Sequence, residues 1–424
     1  MGIVLIIALF VLFIIGVPIA ISLGMASSIA VVWSGEVPLN IIIQRTFTSM
    51  DSFPLMAVPF FILAGKLMET GGISKRLVHF ANSITGHLTG GLGLVAVVTS
   101  MFFAAISGSS AATVAAIGSI LIPAMIKQGF DRHTAGSIQA AAGSIGVIIP
   151  PSVPIILYGV VTGTSISDLF FAGILPGLVI GLGLMITVVI IAKKIGVKSS
   201  QKVSRAESFT AFKQAILPIL MPIIILGGIY GGVFTPTEAA AVAVFYAFLL
   251  GAVIYKEITW KNILNILKES VLLTSIVMFI IANAGLFGWI ITRENIPATV
   301  TNFFMSLTTS PILFVIIINV LLLIVGMFME TSAATIILAP ILTPVAMSMG
   351  IDPVHFGIIM IVNLALGMCT PPLGVNLFIS CEIAQVKLLH LAKAMIPFFV
   401  SLIISLLIIS FLPALSVWLP ELLN

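Results

Sequence analysis

Charge is what this chain lacks most. Of its 424 residues only 8% are Asp, Glu, Lys or Arg, against 60% hydrophobic and a mean hydropathy of +1.29. Soluble domains carry about 25% charged residues, so a soluble fold is excluded and an all-α polytopic membrane protein remains. The net charge of +4 does not point to nucleic acid. Its Lys and Arg residues sit in short loops between apolar runs, where they act as topology signals. Cysteine is nearly absent: Cys369 and Cys381 share one apolar segment and read as free thiols, not as a disulfide framework. His79, His87, His133, His355 and His390 show no metal-ligand spacing, and no His-Glu-x-x-His pattern occurs, so neither a transition metal nor a cofactor is expected. Residues 1–33 have no Lys or Arg ahead of their apolar run, which makes them a first span rather than a signal peptide.

What the chain does have, twice, is a polar stretch between two apolar runs. Ser107-Gly108-Ser109-Ser110-Ala111-Ala112-Thr113 separates residues 91–106 from 114–126. Met329-Glu330-Thr331-Ser332-Ala333-Ala334-Thr335 separates residues 312–328 from 336–349. Each run is slightly short of the ~20 residues that cross a bilayer, so each pair reads as a re-entrant hairpin with its tip near the midplane. Backbone freed at such a tip must be buried in protein or line a wet cavity. Taken alone, either stretch also fits a packing patch of small residues, and the second copy decides between them. Thr113 matches Thr335, an offset of 335 − 113 = 222; after a one-residue gap the offset is 221. Pro123 then matches Pro344, Gly129 matches Gly350, Asp131 matches Asp352, Gly146 matches Gly367, and Pro150-Pro151 matches Pro371-Pro372. Paired Gly/Pro-interrupted segments in two halves of a chain point to a transporter's binding site.

In chain order, residues 3–33 read as one long or kinked span around Pro18, with a short extra segment as the alternative, and residues 38–50 as an amphipathic arm on the surface. Residues 54–68 cross, and residues 73–88 form a second amphipathic stripe. The first hairpin covers residues 90–128. A helix over residues 133–163 must break at Pro150-Pro151, and residues 168–192 cross back behind a capping box at Ser165 and Asp168. Residues 193–214 are a basic, cytoplasmic linker. It separates a first repeat, 1–192, from a second, 215–424. In the second, residues 215–233 and 238–255 cross as a pair, with Thr235 and Glu238 forming a capping box. An arm over 257–269 precedes a span over 271–291. The second hairpin covers 310–350, a helix over 353–381 breaks at Pro371-Pro372, and residues 396–418 are the last span. Counting crossings from the linker gives nine full spans and two hairpins, with a cytoplasmic N-terminus and a periplasmic C-terminus. The first hairpin then has its base inside, beside Lys127 and Arg132, and the second has its base outside, beside Asp352. The repeats are inverted.

Two opposed tips, each facing a broken helix, predict one central site. Its hydroxyls are Ser107, Ser109, Ser110 and Thr113 from one tip and Thr331, Ser332 and Thr335 from the other. Interrupted helices expose carbonyls near Gly146–Pro151 and Gly367–Pro371. Oxygens of this kind suit a dehydrated sodium ion, and helix N-termini suit an anion. Glu330 is the one carboxylate at a tip, read either as a functional group or as a helix cap. Lys66, Glu69, Arg293 and Glu294 read as span-end residues explained by snorkelling and pairing. Asp51 is left open, and Phe60-Phe61 and Phe102-Phe103 read as packing.

Ser107-Gly108-Ser109-Ser110 with the following Ala-Ala-Thr-Val-Ala-Ala-Ile-Gly-Ser, and Gly146-Val147-Ile148-Ile149-Pro150-Pro151-Ser152, resemble the large membrane subunit of tripartite ATP-independent periplasmic (TRAP) transporters. The resemblance covers nearly the whole chain. It implies a sodium-driven elevator carrier, in which hairpins and broken helices slide against a scaffold of outer spans and arm helices. It implies residence in a bacterial inner membrane, a separate four-helix small subunit and a periplasmic substrate-binding protein. Its substrates are organic anions, C4-dicarboxylates or sialic acid, and the wording is most similar to sialic-acid members. Sodium sites of the family combine hairpin tips with broken-helix backbone. Carried over, one site falls on Ser107, Ser109, Ser110, Gly146, Val147, Pro150 and Pro151, and a second on Gly326, Thr331, Ser332, Gly367, Cys369 and Thr370. The substrate falls on Thr113, Ser152, Glu330, Thr335 and Asn376. No central Arg is evident to clamp a carboxylate. A channel and an intramembrane hydrolase using Ser107 or Ser109 are the alternatives; the nearest downstream histidine, His133, is placed at the cytoplasmic base and not at tip depth.

Overall fold

A computed structural model describes residues 1–197 and 204–423, in which every regular element is a helix. Helices α1 (Gly2–Ile14) and α2 (Ile19–Ser34) meet at a turn where Gly16 has φ +84°. The chain doubles back there. Met1 nitrogen lies 3.2 Å from Glu294, and Glu36, just past α2, lies 3.7 Å from Arg293. Residues 3–33 are therefore two packed helices, which decides for the extra segment over one kinked span. Pro18 removes a backbone donor, and Gly16 takes up the left-handed turn.

The surface arm is α3 (Asn40–Thr48), which buries no residue. After a short 3-10 turn at Phe53–Met56 come α4 (Ala57–Thr70) and α5 (Ile73–Thr85), whose Ile73, Leu77 and Ala81 are fully buried. Next are α6 (Gly91–Ser107), α7 (Ser110–Gln128), α8 (Arg132–Gly143), α9 (Val153–Thr162) and α10 (Ile166–Ile195). The helix across residues 133–163 is interrupted as expected, with a 3-10 turn at Ser144–Val147 before Pro150-Pro151. Ser165 caps α10 by accepting from the Asp168 N–H at 3.3 Å.

The second half holds α11 (Arg205–Tyr230), α12 (Pro236–Phe248, extended by a π turn to Ile254), α13 (Trp260–Arg293) and α14 (Ile296–Leu307). It continues with α15 (Pro311–Phe328), α16 (Thr331–Ser348), α17 (Pro353–Gly367), α18 (Val375–Ala384), α19 (Leu388–Phe411) and α20 (Ala414–Leu423). The Thr235–Glu238 capping box is complete, and Ser204 and Glu207 form another at the start of α11. Helices thus run into both ends of the expected linker; residues 198–203 lie outside the described residues.

Three further expectations need correction. The arm at 257–269 and the following span are one 34-residue rod, ~51 Å long, because no Gly or Pro interrupts residues 260–284. Helix α14 was not expected: its stretch has Pro297 and no charged face to create an amphipathic stripe. The last span ends at Phe411, and Pro413 turns the chain into α20. Among the described residues nine helices are long and apolar enough to cross a membrane. They are not the nine spans expected. Three are arms of the two helix pairs, and the helices at 3–33, 133–163 and 353–381 are each divided into shorter pieces.

Helix α12 packs on α4, α13 on α2, α3 and α4, and α11 on α5. The tips sit in a second group, where α7 packs on α8 and α18, and α16 on α9, α14 and α17. Each tip's outgoing helix therefore lies on the far half of the other repeat's broken helix. The two pairs open at opposite ends. Leu92 N donates to the Gln128 side chain at 3.0 Å, closing the base of α6/α7 beside Arg132 and Ser137, which reach the Ala384 and Leu391 carbonyls at 3.4 and 3.2 Å. From Leu388 there, α19 runs 24 residues, ~36 Å, to Ser410, which shares a cavity wall with Pro311, Ile351 and Asp352 at the base of α15/α16. The N-terminus and the linker, expected on the same side, lie at opposite ends of α13. Tyr255 donates to the Gln214 carbonyl at 3.3 Å and Arg76 stacks over Tyr255 at 3.6 Å, which places the starts of α11 and α13 together. Met1 is at the far end of α13, opposite the basic linker and not beside it.

Candidate functional site

The first tip is a two-residue turn. Gly108 has φ +60°, and extended Ser109 caps α7 by accepting from Ala112 N at 3.3 Å. A Cβ on Gly108 would lie 2.7 Å from the Pro151 carbonyl oxygen, so glycine is what lets the tip nest on the broken helix. A Cβ on Gly146 would likewise lie 2.5 Å from Thr113 Oγ1. Thr113 donates to the Ser109 carbonyl at 2.8 Å, and its hydroxyl is 3.2 Å from that of Ser107. The Ser110 hydroxyl donates to the Gly143 carbonyl at 3.0 Å and accepts from Asn376 Nδ2 at 2.7 Å. Asn376 Nδ2 also reaches the Ala140 carbonyl at 3.3 Å and Cys369 Sγ at 3.4 Å. One buried amide thus joins the first tip and both broken helices.

The second tip is built differently. Met329 is extended, and Glu330 caps α16 by accepting from Ser332 N at 2.8 Å, Ala333 N at 3.3 Å and the Ser332 hydroxyl at 3.1 Å. The Thr331 hydroxyl lies 3.0 Å from Met368 sulfur, and Thr335 donates to the Thr331 carbonyl at 2.7 Å. Leu373 N donates to the Met327 carbonyl at 3.2 Å, tying the broken helix to α15. Gly326 and Gly367 meet backbone to backbone: a Cβ on Gly367 would lie 2.4 Å from Gly326 Cα. Thr370 donates within its own helix, to the Leu366 carbonyl at 3.1 Å.

Both tips face one cavity of about 430 Å³. One wall is Ser107 to Ala112, Val147, Val153, Pro154, Glu330, Ser332, Ala333 and Met368. The other is Pro18 to Ala20, the Ile62, Gly65, Lys66 and Glu69 face of α4, and Leu273, Ile276, Val277 and Ile280 of α13. The expected residues divide accordingly. Ser107, Ser109, Ser110, Val147 and Ser332 line the cavity, whereas Gly146, Thr331, Gly367 and Cys369 are buried behind it. Of the five positions assigned to substrate, only Glu330 lines the cavity. Thr113, Ser152, Thr335 and Asn376 are buried with their polar groups engaged inside the protein, Ser152 on the Val147 carbonyl at 2.6 Å. Glu330 is the helix cap of one of its two readings, and its residue also lines the cavity.

Sequence reasoning missed Lys66. It was assigned to a span end, but it lines the cavity with its ammonium 3.1 Å from Glu69 and 3.2 Å from Glu269. The available signal was its spacing from Ile62 and Glu69, which shares a helical face. Asp51 is exposed and does not line the cavity, and Phe61 and Phe103 are packing residues as expected. A second buried polar group was also missed: Asn363 donates to Asn319 at 2.8 Å, and Asn319 to Ser410 at 3.1 Å.

A profile of the tripartite ATP-independent periplasmic transporter, DctM component, matches residues 6–415. The chain belongs to the DctM family. It is thus a multi-pass membrane protein of the TRAP transporters, and these are not enzymes, which removes the hydrolase alternative. The isethionate TRAP permease DctMQ of Oleidesulfovibrio alaskensis is 45% identical over 96% of this chain, which spans 64% of that longer protein. The C4-dicarboxylate large permease DctM of Pseudomonas aeruginosa is 42% identical, with 94% of each chain covered. The sialic acid large permease SiaM of Vibrio cholerae is 40% identical, covering 96% of this chain and 95% of that one. The DctM fold is similar to that of the Alcanivorax borkumensis YdaH transporter, with a TM-score of 0.61, 17% identity, and 90% and 89% of the two chains covered.

Proposed function

We propose that this chain is the large subunit of a sodium-coupled, binding-protein-dependent carrier that imports a small organic anion by an elevator movement. The observation that carries this reading is the convergence of two oppositely directed tips, whose outgoing helices each pack on the other repeat's broken helix, at one cavity of about 430 Å³. Hydroxyls and interrupted-helix carbonyls around Ser107–Ser110 and Gly326–Thr370 supply the neutral oxygens that a dehydrated sodium ion needs. The tips are then re-entrant and move together with the broken helices, while α2, α4, α11, α12 and α13 stay with the membrane. A separate small membrane subunit and a periplasmic substrate-binding protein complete the system, and the basic linker end faces the cytoplasm. Relatives named for isethionate, C4-dicarboxylates and sialic acid are 45%, 42% and 40% identical, a spread too narrow to separate the three substrates.

The test is uptake into proteoliposomes holding both membrane subunits, with binding protein outside. Isethionate, succinate and N-acetylneuraminate are offered with and without an inward sodium gradient. Saturable accumulation of one of them that needs both sodium and the binding protein is the expected result. Sodium-independent accumulation, or single-channel currents, would overturn the carrier reading.

A further inference from the structure

The cavity is poor in the charge an anion needs. Among the described residues that line it Lys66 is the only cation, set against Glu69 and Glu330. The tip groups around it are serine hydroxyls. We infer that Lys66 fixes the anionic head of the transported solute, a carboxylate or sulfonate, by giving up Glu269 as a partner. This rests on the transport reading above and names the residue that would set affinity within it.

Lys66 stands one turn before the end of α4, at the depth of the first tip. A Cβ on the adjacent Gly65 would lie 3.4 Å from the Ser107 backbone. An ammonium has three donors. Two are accounted for, one on Glu69 at 3.1 Å and one on Glu269 at 3.2 Å, and exchanging one of these carboxylates for a solute oxyanion keeps the ammonium's pairing unchanged. The two carboxylates are not equivalent. Glu69 is three residues along the same helix and lines the cavity; Glu269 reaches across from α13, does not line it, and its side chain is 59% exposed. Exposed ion pairs contribute little, so Glu269 is the partner an incoming oxyanion displaces. The competing role for Lys66 is a brace between α4 and α13, and the two roles predict different behaviour when Glu269 is removed.

Lys66→Gln, Lys66→Arg and Glu269→Gln are compared with wild type in the same proteoliposomes. Half-saturation is measured from the vesicle interior, where no binding protein competes, and melting temperature in detergent. For whichever of isethionate, succinate and N-acetylneuraminate the wild type carries, Lys66→Gln should raise the half-saturating concentration at least tenfold. Lys66→Arg should restore most of it, and Glu269→Gln should lower it two- to fivefold. Half-saturation unchanged in Lys66→Gln overturns the inference. So does a matched loss of maximal rate and melting temperature in Lys66→Gln and Glu269→Gln, which is the signature of a brace. Failure of the wild type to carry any of the three overturns the transport reading itself, and is thereby distinguished from failure of the inference alone.

Discussion

The two tips derive from one repeated segment but have become different devices. The first is neutral and tied down: its turn nests under Pro151, and Ser110 is held by Asn376 from the other repeat. The second is charged and open: Glu330 is exposed and occupies the N-terminus of α16 with its own carboxylate. Their supporting helices differ as well. Helices α6 and α7 pack along each other, whereas α15 and α16 barely touch and pack instead on α17. Duplication has kept the scaffold, the broken helices and the directions of approach, while the atoms presented to the cavity have diverged. A symmetric fold therefore gives an asymmetric site, with hydroxyls on one side and a carboxylate on the other.

The sharpest way to break this comparison is the glycine contact behind the second tip. Gly326 aligns with Ala104 in the first repeat, since 326 − 222 = 104. Alanine is accommodated at 104, but a Cβ on Gly326 would lie 2.9 Å from the Leu364 carbonyl and 3.0 Å from Gly367 Cα. Gly326→Ala should destabilise the protein by about 1–3 kcal/mol, the usual range for overpacking. Melting of the purified protein checks this; a wild-type melting temperature would show that α15 and α17 are not in backbone contact.

Much of this arrangement was legible in the residues. Gly146/Gly367 and the two double prolines marked the breaks, since proline cannot continue a helix, and the repeat spacing located both tips. Proline 18 was legible as an interruption but not as a reversal. Whether a helix kinks or folds back depends on what packs beside it, here α13 and Glu294. The site was legible by region and not by atom. Asn376 and Thr113 carry the right chemistry for a ligand, but helical phase turns them into the protein, where Ser110 and Ser107 take up their polar groups. Lys66 was misplaced for the opposite reason: a lone lysine in an apolar run reads as snorkelling until its neighbours are known.

The next effect in size tests the tie across the repeats. Asn376→Ala removes the partner of Ser110 and leaves Ser110 bonded to Gly143 alone. A double-mutant cycle with Ser110→Ala should give a coupling of about 1 kcal/mol, the net value of one internal hydrogen bond. Additive single effects would mean the tip is not held from the second repeat. The cap comparison follows. Glu330→Ala removes three acceptor contacts from α16 and should lower stability by about 1 kcal/mol, while Ser109→Ala removes one 3.3 Å contact and should lower it less. Equal losses would indicate that the tips are energetically alike.

An effect confined to a pH window lies outside the cavity, at the base of the first pair, where Asp131 caps α8. Burial pushes its carboxyl up, but bonds from the Thr134 hydroxyl and N–H and the His133 N–H outweigh that and hold it below the ordinary aspartate range. The sign follows directly. A group whose value is lowered by folding adds stability that is present above its unfolded value and is lost as pH falls through the folded one. Asp131→Ala should therefore cost about 1 kcal/mol near neutrality, and the gap from wild type should narrow only below about pH 4. Melting curves of both proteins over descending pH measure it. A gap that stayed unchanged below pH 4 instead would show that the Asp131 carboxylate does not supply the cap's stability.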